Sequence, residues 1–165
     1  MVDVIAAHEV GHAVMRWLRG WPAGELVVTE SGGYNGRPGK KRLLKNATYF
    51  QDEMYVALAG HATKVGYGVL DPVDVRPLYK TKDIPRDFVR ARDMALALLG
   101  KECGGDDLYR KLQREFDYTC QQLLPHACFI EGMAMRLARD GRMSARSVAA
   151  QLREYQRRLD KGDWA

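Results

Sequence analysis

Between Val2 and Leu18 the apolar residues recur with a helical period, and the pattern stops at Gly20-Trp21-Pro22, a glycine and proline pair that ends helices. The spacing therefore predicts a first helix over residues 2–18. Glu25-Leu26-Val27-Val28-Thr29-Glu30 then reads as a short strand, and the turn-rich Ser31 to Gly36 predicts a small hairpin or edge-strand system between about 25 and 50. Gln51 to Tyr67 reads as a second helix. Ala57, Ala59, Gly60 and Ala62 give it a small-residue face for close packing on the first, and Asp52 is placed to cap or charge-complement its start.

A connector containing Pro and Asp follows, from Gly68 to about Asp83. Pro85 sits where helices begin, and the run Asp87 to Leu99 is helical before Gly100. Gly104-Gly105-Asp106 introduces a further helix to about Leu124, which Pro125 divides from a continuation over His126 to Arg139, ending at Gly141. Ser144 is a good N-cap for a last helix through about Leu159. The expected architecture is mainly α, with a small β-hairpin or edge-strand element.

Composition narrows the class. At 165 residues and 46% hydrophobic content the chain can bury one real core, so a single domain over residues 1–165 is expected. The net charge of +5 is spread over helix faces, and only Arg37-Pro38-Gly39-Lys40-Lys41-Arg42 is a tight basic cluster, read as a solvated loop. Nucleic acid is accordingly not the expected partner. Cys103, Cys120 and Cys128 are odd in number and lack CxxC spacing, so they are expected to be reduced core thiols. With no run of about 20 apolar residues and no signal peptide ahead of the first helix, a cytoplasmic chain without a membrane segment is expected.

The candidate chemistry lies in the first helix. Ile5-Ala6-Ala7-His8-Glu9-Val10-Gly11-His12-Ala13-Val14 spends two of the four histidines at i and i+4, on one helix face, with a carboxylate beside the first. This is the HExxH arrangement, in which both imidazoles ligate Zn²⁺ and the glutamate, Glu9, serves as the base for water. Gly11 costs about 1 kcal/mol against Ala in a helix interior, which implies close approach by another backbone. A hydrolytic zinc takes three protein ligands and keeps one position open. Met15 and Leu18 stand where the extended HExxHxxGxxH motif has its glycine and third histidine, which excludes that subclass. A glutamate from the following helix, Glu53, and an aspartate remain as candidates for the third ligand. The hairpin edge would offer an extended peptide a strand to pair with.

AAHEVGHAV resembles the zinc-binding helix in the peptidase domain of FtsH-type ATP-dependent zinc metalloproteases. Val56-Ala57-Leu58-Ala59-Gly60-His61-Ala62 is similar to the ALGGRAAEE helix of that family, and Asp87-Phe88-Val89-Arg90-Ala91-Arg92-Asp93-Met94-Ala95 to its NDLxxATxxA helix. The resemblance implies His8, His12 and Asp87 as zinc ligands, Glu9 as general base, and protein or peptide as substrate. Gly32-Gly33-Tyr34 resembles the strand beside the family's cleft, which implies Gly33 and Tyr34 as substrate-binding residues; Met133 to Leu152 resembles its final helical hairpin. Two departures stand out. Lys64 and Val65 replace the family's paired glutamates, and His61, read as a surface or packing residue, replaces an arginine. No GxxxxGK[ST] phosphate loop is present, so a separate AAA+ partner and a homo-oligomer are the assemblies the resemblance implies. The expected function is metalloendopeptidase action on accessible or unfolded segments. Its rivals are a non-catalytic metal-binding interaction module descended from the same fold and a basic nucleic-acid-associated regulator.

Overall fold

The computed structural model describes residues 3–36, 46–67, 74–76, 79, 84–100 and 102–163, so the basic cluster at 37–42 and most of the connector at 68–83 lie outside the described residues. Helix α1 spans Val4–Leu18 and begins at Asp3, whose carboxylate accepts the Ile5 and Ala6 N–H groups at 2.8 and 3.0 Å. Strands β1 (Leu26–Thr29) and β2 (Gly32–Asn35) form an antiparallel hairpin, with Val27 opposite Tyr34 and Val28 opposite Gly33. Helices α2 (Ala47–Gly66), α3 (Arg86–Leu99), α4 (Gly105–Leu123), α5 (Ala127–Asp140) and α6 (Ala145–Lys161) follow, with a 3₁₀ turn at Leu124–His126 between α4 and α5. The molecule is thus mainly helical.

Three boundaries depart from expectation. Helix α2 starts at Ala47 rather than at Gln51, because Asn46 accepts the Tyr49 N–H at 2.9 Å and Trp21 stacks on Tyr49 with ring centroids 5.9 Å apart. Asp52 consequently sits in the second turn, where it faces Arg19 at 3.9 Å, and caps nothing. Between α5 and α6 the chain forms β3, Arg142–Met143, which pairs antiparallel with Leu26 and Val27 and makes β1 the centre of a β2-β1-β3 sheet. Gly141, in a left-handed conformation (φ 69°), turns α5 into that strand, and Ser144 caps α6 as its position predicts, accepting the Ser147 N–H at 3.2 Å.

One contiguous apolar cluster runs through the helices: Val10, Val14 and Met15 from α1, Met54 and Leu58 from α2, Phe88 from α3, Leu112 and Phe116 from α4, Ile130 and Leu137 from α5, and Val148 from α6. Helix α2 is the central member, since every residue from Glu53 to Thr63 is buried and α1, α3 and α4 all pack on it. Of the cysteines, Cys103 and Cys120 are half-buried and Cys128 is exposed on the first turn of α5, so none is a core thiol. No helix among the described residues is long and apolar enough to cross a membrane.

The α1–α2 contact is closed by small residues. A Cβ at Gly11 would collide with the Thr63 side chain and press on the Ala59 carbonyl, and the Thr63 hydroxyl is already committed to that carbonyl at 2.9 Å. Gly11→Ala should therefore lower stability by about 1–3 kcal/mol in urea unfolding, against the gain of about 1 kcal/mol that helix propensity alone would give. A stabilised Gly11→Ala protein would refute the close approach.

Candidate metal centre

His8 and His12 sit one turn apart on α1, and their rings meet edge to face with centroids 4.7 Å apart. The His12 Nδ1–H donates to the Val56 carbonyl of α2 at 2.6 Å, which turns Nε2 toward its neighbours. Asp87, in the first turn of α3, is brought in by a helix that packs on α2. Its Oδ2 lies 3.0 Å from His8 Nε2 and 3.2 Å from His12 Nε2, and the two Nε2 atoms are 3.1 Å apart.

That triangle is awkward for hydrogen bonds alone. With its proton on Nδ1, a neutral His12 presents the Nε2 lone pair to a carboxylate oxygen. Such a contact is comfortable only with a proton or a cation between the donors. Tetrahedral ligands at 2.0–2.1 Å from zinc lie about 3.3 Å from one another, close to the three separations seen. Burial alone would raise the Asp87 pKa, but hydrogen bonding to His12 and His8 and their charges hold it well below the usual carboxylate range. The donor set, two imidazoles and one ionised carboxylate, fits a divalent metal.

Glu9 is buried at 7% exposure, and burial is the main cause that raises its pKa. A side chain at Gly33 would overlap the Glu9 carboxylate, so β2 approaches because it carries none there. Asn35 fixes the approach by donating its side-chain amide to the Glu9 carbonyl at 3.2 Å.

These groups open on a cleft of about 730 Å³. His8, Glu9 and His12 line its floor, Gly32 to Asn35 one wall, Pro85 to Asp87 with Arg90 the other, and Lys64 also faces it. The sequence candidates His8, Glu9, His12, Asp87, Gly33 and Tyr34 therefore share one cavity. Tyr34 stands at the rim, 58% exposed. The hairpin register pairs Thr29 with Gly32 and Val27 with Tyr34 across the narrow hydrogen-bonded positions, because a two-residue turn closes it. The backbone groups of Gly33 and Asn35, not those of Tyr34, thus point to the outer edge. Val28 is no free edge either, since its N–H donates to the Gly141 carbonyl at 2.9 Å.

Other acidic and imidazole groups divide clearly. Glu53, the other candidate for third ligand, is ion-paired with Arg90 of α3. His126 accepts or donates at Nδ1 to the Tyr155 hydroxyl at 2.8 Å and lies away from the centre. His61 packs on Phe88, as a packing histidine would, but it is buried rather than at the surface. Its Nδ1 lies 3.9 Å from Asp87 Oδ2, and burial, with the nearby His8 and Lys64 charges, pushes its pKa down to about 3. Gly60, one residue earlier, touches the His8 ring so closely that no Cβ would fit. His8 Nδ1 has no hydrogen-bond partner among the described residues, and Lys64 follows His61 by three residues on α2. No family model matches the chain, and no curated protein matches it.

Proposed function

We propose that this chain is a zinc-dependent endopeptidase of the FtsH peptidase type, with His8, His12 and Asp87 holding the ion and Glu9 as general base. The observation that carries the proposal is the convergence of Asp87, 79 residues along the chain from His8, on the two HExxH imidazoles at 3.0 and 3.2 Å, beside a buried glutamate and at the floor of a cleft. Zinc, when bound, supplies a Lewis acid that brings the pKa of water to about 7 and polarises a peptide carbonyl. Glu9 accepts the proton of the attacking water and returns it to the leaving amine; its raised pKa suits both transfers. The outward backbone groups of Gly33 and Asn35 pair with an extended substrate, giving affinity with little side-chain selectivity. Such a cleft suits accessible or unfolded protein segments, with unfolding left to a separate AAA+ partner.

One observation favours a second reading, a metal-binding interaction module without catalysis. Ligating histidines ordinarily donate their second nitrogen to a carboxylate or carbonyl, and His8 Nδ1 lacks that support.

Elemental analysis and casein cleavage separate the readings. Asp87→Ala should lose most bound zinc, whereas Glu53→Ala should keep it and lose stability instead, because the part-buried Glu53–Arg90 ion pair is broken. The opposite pattern would move the third ligand to Glu53. Glu9→Gln should retain one zinc per chain and lose cleavage by at least about 100-fold, since the amide cannot take the proton. Equal inertness of wild type and Glu9→Gln would favour the module.

Strand pairing has its own test. Asn35→Pro removes an outward N–H at an edge strand, where proline is tolerated, and should raise KM severalfold over Asn35→Ala, which keeps that N–H. Equal KM values with zinc retained in both would sink the pairing and leave the zinc assignment standing.

A further inference from the structure

His61 stands beside the centre, buried in the core, and has no task in the mechanism above. It is 8% exposed, and its ring is held between Phe88 and His8, with centroid separations of 4.5 and 5.0 Å. Its Nδ1 has no hydrogen-bond partner among the described residues and faces the Asp87 oxygen that also lies against His8 and His12. At 3.9 Å that contact is too long for a hydrogen bond. Buried polar atoms are rarely left unpaired, so an orphan beside the Asp87 carboxylate and the His8 ring calls for a partner that hydrogen bonding does not supply. One donor atom from each of His8, His61 and Asp87 lies within 4.8 Å of the others, a spread that a single cation can span.

We propose that His61 is a fourth protein donor to the ion held by His8, His12 and Asp87, making the centre a three-imidazole, one-carboxylate site. The inference rests on the metal reading above and extends it. His61 does not line the cleft, so it reaches the ion from the protein interior and leaves the cleft side open to water and substrate. The ion then has four protein donors and still one exchangeable position. Nothing in the HExxH spacing requires this, since His61 belongs to α2, which otherwise supplies the Val56 carbonyl that orients His12. His61 also accounts for how an imidazole can stand next to Gly60: the glycine admits the His8 ring, and His61 comes alongside it.

The test uses the full chain loaded with Co²⁺, whose visible absorption strengthens as coordination falls from five donors to four, and with Zn²⁺, whose affinity is read by competition with a chromophoric chelator. His61→Phe keeps an aromatic ring on Phe88 and removes the nitrogen. His61→Asn keeps an N–H near Nδ1 but offers only a weak ligand. Both should bind Zn²⁺ at least about tenfold more weakly than wild type, and both should show the intensified Co²⁺ band. An unchanged Co²⁺ spectrum in His61→Phe would overturn the proposal, as would wild-type affinity and spectrum in His61→Asn, which would make His61 a hydrogen-bonding support for Asp87. If His61→Phe does not fold, His61→Asn decides by the same two readings. A wild-type chain that binds neither ion overturns this inference together with the metal reading, whereas a zinc-binding, casein-cleaving chain indifferent to His61 overturns this inference alone.

Discussion

The site depends on how closely α1 can approach α2. Two glycines set that distance, Gly11 against the Thr63 side chain and Gly60 against the His8 ring. Each is poor for helix stability in isolation, by about 1 kcal/mol, and each is required because the opposing atom already fills the space of a Cβ. Once α1 is seated, the His12 ring reaches the Val56 carbonyl and Nε2 is aimed. Since α3 also packs on α2, Asp87 meets the α1 imidazoles beside the same central helix. A helix buried along eleven consecutive positions can serve as such a spacer only with small residues on its crowded faces, as Ala57, Ala59, Gly60 and Ala62 provide.

Support around the donors is uneven. His12 is oriented through a backbone carbonyl, which a change of side chain on α2 cannot remove. His8 has van der Waals contact with Gly60 and no acceptor at Nδ1. The lysine where a second carboxylate was expected faces the cleft and disfavours protonation of His8, although burial is the larger cause. His8 is therefore the donor whose geometry rests most on packing, and the imidazole of His61 at its edge is part of that packing.

Much of this was legible in the chain, and the misses fall where residues distant in sequence decide the outcome. The helical period and the cap residues gave α1, α3, α4 and α6 within a few residues, because those signals act over a single turn. The joint face of His8 and His12 follows from i, i+4 spacing alone. Asp87 does not: an aspartate in a helix's first turn is also explained by the helix dipole, and only the resemblance singled it out over Glu53. Helix α2 begins within the span read as a hairpin or edge-strand system, since its start is set by the Asn46 cap and by Tyr49 stacking on Trp21. Strand β3 is two residues long and owes its pairing to β1, over a hundred residues earlier, so no local pattern announces it. Of the two readings of His61, surface or packing residue, the second holds, since the side of α2 on which it lies is covered by Phe88 from α3.

The hairpin and the buried glutamate behave as one unit. Gly33 vacates the volume that the Glu9 carboxylate occupies, and Asn35 holds the Glu9 backbone, so β2 cannot shift along α1 without disturbing both. The same two residues carry the backbone groups that face outward from the sheet. An extended chain added to that edge would thus be registered against the residues that position Glu9, and its carbonyls would be fixed relative to the Glu9 carboxylate. Strand β3 strengthens the arrangement from the opposite edge, since pairing with Leu26 and Val27 holds β1 from behind while leaving β2 outermost. A sheet of three short strands would be marginal by itself; docked on α1 through Asn35, it forms one wall of the cleft.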